Sequence, residues 1–263
     1  MLPALNRCAV GVRFMFDRME GPERILLSLS LVAWFALALV VARNEIPLLC
    51  LSSPDLIARF GAGVDALARP DVILTETTGW LAMIAAMMFP LLLHPVRHVA
   101  LRSFRDRRSR AVAGFLIGYA APWLIAGLAT SVVMLAAKSA AMLAIEVAGP
   151  TAFAAAALWQ FSAIRRRALR RCHRTAPLAP RGLPADLACL RFGASHGFNC
   201  LVVCGPAMLA VLMLSHSILL CAILTAFLFL ERGRLEPSAV PLASVLATIA
   251  AGWLLVTLLG RLT

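Results

Sequence analysis

Residues 193–214 read GASHGFNCLVVCGPAMLAVLML. The run is apolar apart from Ser195, His196 and Asn199. It is long enough to cross a bilayer as a helix, which takes about 20 residues. His196, Cys200, Cys204 and Met208 stand at four-residue intervals within it. Side chains at i and i+4 share one face of an α-helix, so an imidazole, two thiols and a thioether are expected on a single stripe. These are soft or borderline ligands of the kind that suit Cu(I) and Zn(II). A polar or reactive stripe inside an apolar span marks a functional site by default.

The rest of the chain sets this run in a membrane. Of the 263 residues, 61% are hydrophobic and 14% charged, against about 25% charged in a soluble domain. The apolar residues come in long blocks, so the expected fold is all-α, a polytopic transmembrane helical bundle of about seven spans. They are read at 25–42, 79–96, 111–137, 139–164, 192–215, 217–230 and 240–260. The sixth is short, and crossing there requires Glu231 and its neighbours to snorkel or the bilayer to thin. A basic segment, 1–24, precedes a single integral domain, 25–260. Its polar connections are an outer loop at 43–78 and basic loops at 97–110 and 165–191. Within the outer loop, Leu56, Ile57, Phe60, Val64 and Leu67 have a weak helical spacing, which fits either an interfacial helix or an ordinary loop.

The net charge is +12, and all but one of the 25 Lys and Arg residues are Arg. Twenty of them fall in 1–24, 97–110, 165–191 and 232–234. The opposite side holds Arg43, Arg59, Arg69, Lys138 and Arg261. This alternation follows the positive-inside rule. It places the N-terminus in the cytoplasm and the C-terminus outside, and it makes the bilayer, not nucleic acid, the partner of the charge. The first span is expected to remain uncleaved, because its apolar run exceeds the 7–15 residues of a signal peptide core. The seven scattered cysteines are no secreted disulfide framework.

Further soft ligands lie on two other spans. The second carries Met83, Met87 and Met88, then Pro90, His94 and Pro95. The sixth begins near His216 and carries Cys221. The stripe from His196 to Met208 covers roughly 18 Å at about 1.5 Å per residue, too long for one ion. One subset therefore forms a site, or several sites form a path. Cys200, Cys204 and Met208 are the expected centre, faced by Met83 and Met87, with His196 at the inner end and His216 and Cys221 as further ligands. Each alone has a plainer reading as core packing or an interfacial ring. Gly114-x-x-x-Gly118 and Gly193-x-x-x-Gly197 are expected to let helices approach closely. The basic loop adds Cys172, His173 and Cys189, which fit either metal hand-over or a solvated surface against anionic headgroups.

These residues resemble a bacterial family described as predicted metal-binding integral membrane proteins. The resemblance runs from Trp80 to Glu231. It is carried by Met83, Ala86-Met87-Met88 and Pro90, and by Gly118-Tyr119 with Trp123. Gln160, the Arg run, Cys172 and Pro177-Leu178 continue it. The most specific block is Gly193, His196-Gly197, Cys200, Cys204 and Met208, closed by Glu231. Departures are Ala168 and Val203 at positions where the family tends to have Cys, and His216-Ser217 and Cys221 where it has Met-Asn and Met. The resemblance implies a multi-pass protein of the bacterial inner membrane that binds metal. With the ligand types, the expectation is a non-enzymatic handler of a soft metal, Cu(I) foremost and zinc second, with a delivery or acceptor protein as partner. The alternatives are an assembly subunit without metal and a membrane thiol oxidoreductase.

Overall fold

The computed structural model describes residues 21–42, 70–137, 145–179, 181–212, 218–232 and 240–259. Among the described residues all regular structure is helical. The α-helices are α1 Gly21–Ala42, α2 Pro70–Met88, α3 Leu93–Arg102, α4 Arg108–Ala137, α5 Ile145–Trp159, α6 Ala163–Cys172, α7 Gly182–Leu212, α8 Ile218–Arg232 and α9 Val240–Leu259. Helix thus occurs in each of the seven apolar blocks. Four described stretches are long and apolar enough to cross a membrane: Gly21–Val40, Thr77–Arg102, Arg105–Thr130 and Gly182–Val211.

Several boundaries differ from expectation. The fifth apolar helix begins at Gly182 rather than 192, because Ala185, Cys189 and Phe192 continue its buried face back into the basic stretch. The fourth ends at Trp159, and the chain turns at 160–162. Most of the basic stretches at 97–110 and 165–191 are helix rather than loop. The last part of the expected outer loop, from Pro70, is already α2. The amphipathic pattern at 56–67 lies outside the described residues.

Helix α6 explains the Arg run. Ser162 caps its N-terminus, accepting from the Arg165 amide at 3.1 Å. Arg165, Ala168, Leu169 and Cys172 are buried at i, i+3, i+4 and i+7. Arg166, Arg167, Arg170 and Arg171 are exposed. The helix therefore lies with one charged face outward and sends one arginine and one thiol inward. Arg165 Nη2 meets Glu231 Oε2 at 2.5 Å, with both side chains buried. Glu231 is thus paired inside the protein instead of snorkelling outward.

Helices α4 and α7 pack most intimately. A Cβ on Gly193 would overlap the Phe115 carbonyl, and one on Gly118 would overlap the Leu190 carbonyl. Gly197 meets the Tyr119 carbonyl in the same way. The expected small-residue contact is therefore backbone against backbone.

Prolines supply a second device. An α-helical amide bonds the carbonyl four residues earlier, and proline has no such amide. Pro90, Pro95 and Pro206 therefore release the carbonyls of Ala86, Leu91 and Val202. Each receives a donor from another helix. Ser30 Oγ donates to Ala86 O at 2.8 Å, Arg232 Nη1 to Leu91 O at 3.2 Å, and Trp159 Nε1 to Val202 O at 2.9 Å. In an apolar interior an unmet carbonyl is costly, so these bonds fix α1 and α8 against the segment 86–92, and α5 against α7. Around Pro90 the chain tightens into a 3-10 turn, Phe89–Leu92.

Candidate metal centre

The i,i+4 stripe on α7 brings the Cys200 and Cys204 sulfurs within 3.9 Å. Both residues are fully buried. Across from them stands the last residue of α2, Met88, whose thioether is 3.8 Å from Cys200 Sγ. Two sulfurs bound to one ion at about 2.3 Å each lie no more than about 4.6 Å apart, so both spacings fit a shared soft metal. The donor set is two thiols and a thioether in a dry core, which suits Cu(I). Among the described residues no group of three His, Cys, Asp or Glu side chains converges. The cluster is a sulfur site or none.

Methionine facing follows from the phase of α2. Trp80, Ile84 and Met88 are buried at four-residue spacing, and Trp80 Nε1 donates to the Trp123 carbonyl on α4 at 2.8 Å. This stripe turns toward α4 and α7. Met83 and Met87 are buried one position round the helix. The thioether of Met88 touches the Cys200 thiol, a contact the expectation for Met83 and Met87 does not include, and those two methionines are buried in the same core. Met208 and Cys221 are buried in the surrounding core. His216 lies outside the described residues.

Two polar groups complete the shell. Tyr119 Oη donates to Cys200 Sγ at 3.1 Å. Arg232, the last residue of α8, places Nη2 3.1 Å from Cys200 Sγ and 3.8 Å from Cys172 Sγ. One guanidinium nitrogen thus lies between a sulfur of α7 and a sulfur of α6. Burial pushes the Cys172 thiol up to about 12, against the pull of Arg232 and with a push from Cys200. Cys172 is therefore a neutral thiol near pH 7. His173 beside it is exposed.

His196 is buried against Phe115, Tyr119 and Phe192, with ring centroids 6.0, 6.3 and 6.0 Å away. Its Nε2 has no hydrogen-bond partner among the described residues. It sits one turn before Cys200 in an aromatic cage rather than among the sulfurs. Sequence reasoning did not single out Arg232 or Tyr119 as neighbours of the thiols. Arg232 was counted only as a topology-setting charge.

Residues 77–256 match the PpoB2 family, described as copper chaperones. That is more than half of the chain. The chain belongs to the PpoB2 family. No curated protein and no solved structure matches it. The PpoB2 match spans α2 to α9 and so contains every residue of the sulfur cluster, together with Arg232 and Cys172. Membership supports copper handling.

Proposed function

We propose that this protein is an integral membrane copper chaperone that holds Cu(I) as cargo on Cys200, Cys204 and Met88 and hands it to an acceptor protein. The carrying observation is the buried sulfur triplet, with contacts of 3.9 and 3.8 Å. Thiolate and thioether donors favour Cu(I) over harder ions, with zinc the competitor to test. The protein performs no chemistry on a substrate in this reading. Copper enters and leaves without a change in oxidation state.

The membrane setting is part of the proposal. Ile117, Ile125, Leu128 and Leu158 are between 65% and 74% exposed, an apolar exterior suited to lipid. In this reading a single multi-pass domain over 25–260 with seven spans lies in the bacterial inner membrane, the setting the family resemblance implies, and the Arg distribution supports a cytoplasmic N-terminus and an outer C-terminus. Met208, His196, Met83, Met87 and Cys221 serve as packing or as ligands of a second level, outside the triplet.

The test is metal analysis of the full chain purified in detergent and loaded with Cu(I) under reducing conditions. Bound copper is expected in the wild type and is expected to disappear in the Cys200→Ala, Cys204→Ala double variant. Copper retained in that variant would sink the assignment.

A further inference from the structure

We propose that Cys172 is the exchange ligand through which Cu(I) enters and leaves the Cys200–Cys204 pair, on the face that carries the Arg-rich helix α6. The proposal rests on the reading of the triplet as a copper site. It begins from one atom: Arg232 Nη2 touches both Cys200 Sγ and Cys172 Sγ. The two sulfurs are therefore no farther apart than those two contacts laid end to end, and they share a guanidinium nitrogen as neighbour.

The placement has a direction. Cys200 and Cys204 are 0% exposed and Cys172 is 9% exposed. Cys172 ends the inward stripe of α6, and the next two residues, His173 and Arg174, are exposed. Of these three thiols Cys172 is the most exposed. The Arg165–Glu231 pair ties α6 to the end of α8, so Cys172 and Arg232 are held as neighbours by a contact independent of either.

Arg232 is suited to act as the movable partition. It is half-buried. Its Nη1 keeps the Leu91 carbonyl, and its Nε has no hydrogen-bond partner among the described residues. Rotation of the guanidinium about its Nη1 anchor moves Nη2 off the two sulfurs, and because the group is a rigid planar fork the bond to Leu91 adjusts with it. Copper then passes by ligand exchange. A bond forms between Cu(I) and the Cys172 sulfur, the bond to the Cys204 sulfur breaks, and the proton displaced from Cys172 moves to Cys204. No electron is transferred. Capture runs the same step backwards. A ligand engaged only in the crossing state changes the rate and leaves the equilibrium content alone.

The test uses the full chain in detergent, loaded with Cu(I), and bathocuproine disulfonate as the acceptor. Copper content and the rate of transfer to the chelator are measured for wild type, Cys172→Ser, Cys172→Ala and, as a control at a buried thiol outside the cluster, Cys189→Ala. The expected result is unchanged copper content with transfer slowed by about tenfold or more in both Cys172 variants, and wild-type behaviour in Cys189→Ala. Two Cys172 substitutions of different polarity, each checked for a wild-type gel-filtration profile, separate ligand loss from misfolding. Wild-type transfer rates in the Cys172 variants would overturn the proposal. Loss of bound copper in them would also overturn it, by making Cys172 a resident ligand. A wild-type chain that binds no copper fails the parent reading instead, a separate outcome.

Discussion

The indole of Trp159 donates to the carbonyl of Val202 at 2.9 Å, across from α5 to α7. That carbonyl is free because Pro206, four residues on, has no amide. The bond lies between Cys200 and Cys204 in sequence, so it steadies the turn that carries both thiols. Trp159→Phe keeps an aromatic side chain but removes the indole N–H and strands the carbonyl, and is expected to cost about 1–3 kcal/mol. Pro206→Ala restores an amide at the right place. The two substitutions together are expected to be less destabilising than their separate costs imply, a non-additivity read by a double-mutant cycle of thermal or denaturant unfolding. Strict additivity would remove the argument.

The Arg165–Glu231 pair gives a second prediction. Both side chains are buried at 2.5 Å. Removing one partner leaves an uncompensated buried charge, which costs about 3–5 kcal/mol. Glu231→Ala and Arg165→Ala are each expected to lower the unfolding midpoint sharply. Arg165→Met with Glu231→Leu is expected to be much milder, since replacing a whole buried pair by apolar groups is often near neutral. Equal damage from the double replacement would contradict this.

The third concerns the α4–α7 seam. Gly193→Ala puts a methyl group into the Phe115 carbonyl, a backbone atom that cannot rotate away. Overpacking of this kind costs about 1–3 kcal/mol or more. Because Gly193 and Cys200 share α7, the variant is also expected to bind copper more weakly at equal protein concentration, measured by chelator competition. Gly114→Ala, whose nearest neighbour is 3.9 Å away, is the tolerant control.

The fourth separates the methionines. Met88 touches Cys200 Sγ, and Met87 lies one position round α2. Met88→Leu removes a ligand and is expected to weaken copper binding by at least about 10–100-fold, the range for losing even an outer-shell partner of a metal site. Met87→Leu conserves volume and is expected to change affinity little. The reverse order in a competition titration would move the site toward Met87.

The helical class and the ligand stripe were legible because period and spacing are local properties. Cys200 and Cys204 meet simply because they are four apart. Partners on other helices were not, since they depend on phase. Met87 and Met88 differ by about 100° of helix rotation, and composition does not say which faces inward. The basic loop hid a signal that was present: Arg165, Ala168, Leu169 and Cys172 already have the spacing of a buried face. Arg232 had one too. Pro90 and Pro95 announce unmet carbonyls at Ala86 and Leu91, and a half-buried arginine at a helix end is a natural donor for one of them. Counting it only for topology concealed that role.

The glycine seam carries a mechanical consequence. At Gly118, Gly193 and Gly197 backbone rests directly on backbone, so Tyr119 and the two thiols stand on a stiff edge. The opposite edge is made of a thioether and a guanidinium on long rotatable stems, hung beside a 3-10 turn. An ion that passes from one set of sulfurs to another must change the distances between them while it moves. Here the compliance for that change resides in a single jaw of the vise, and the other keeps the gauge.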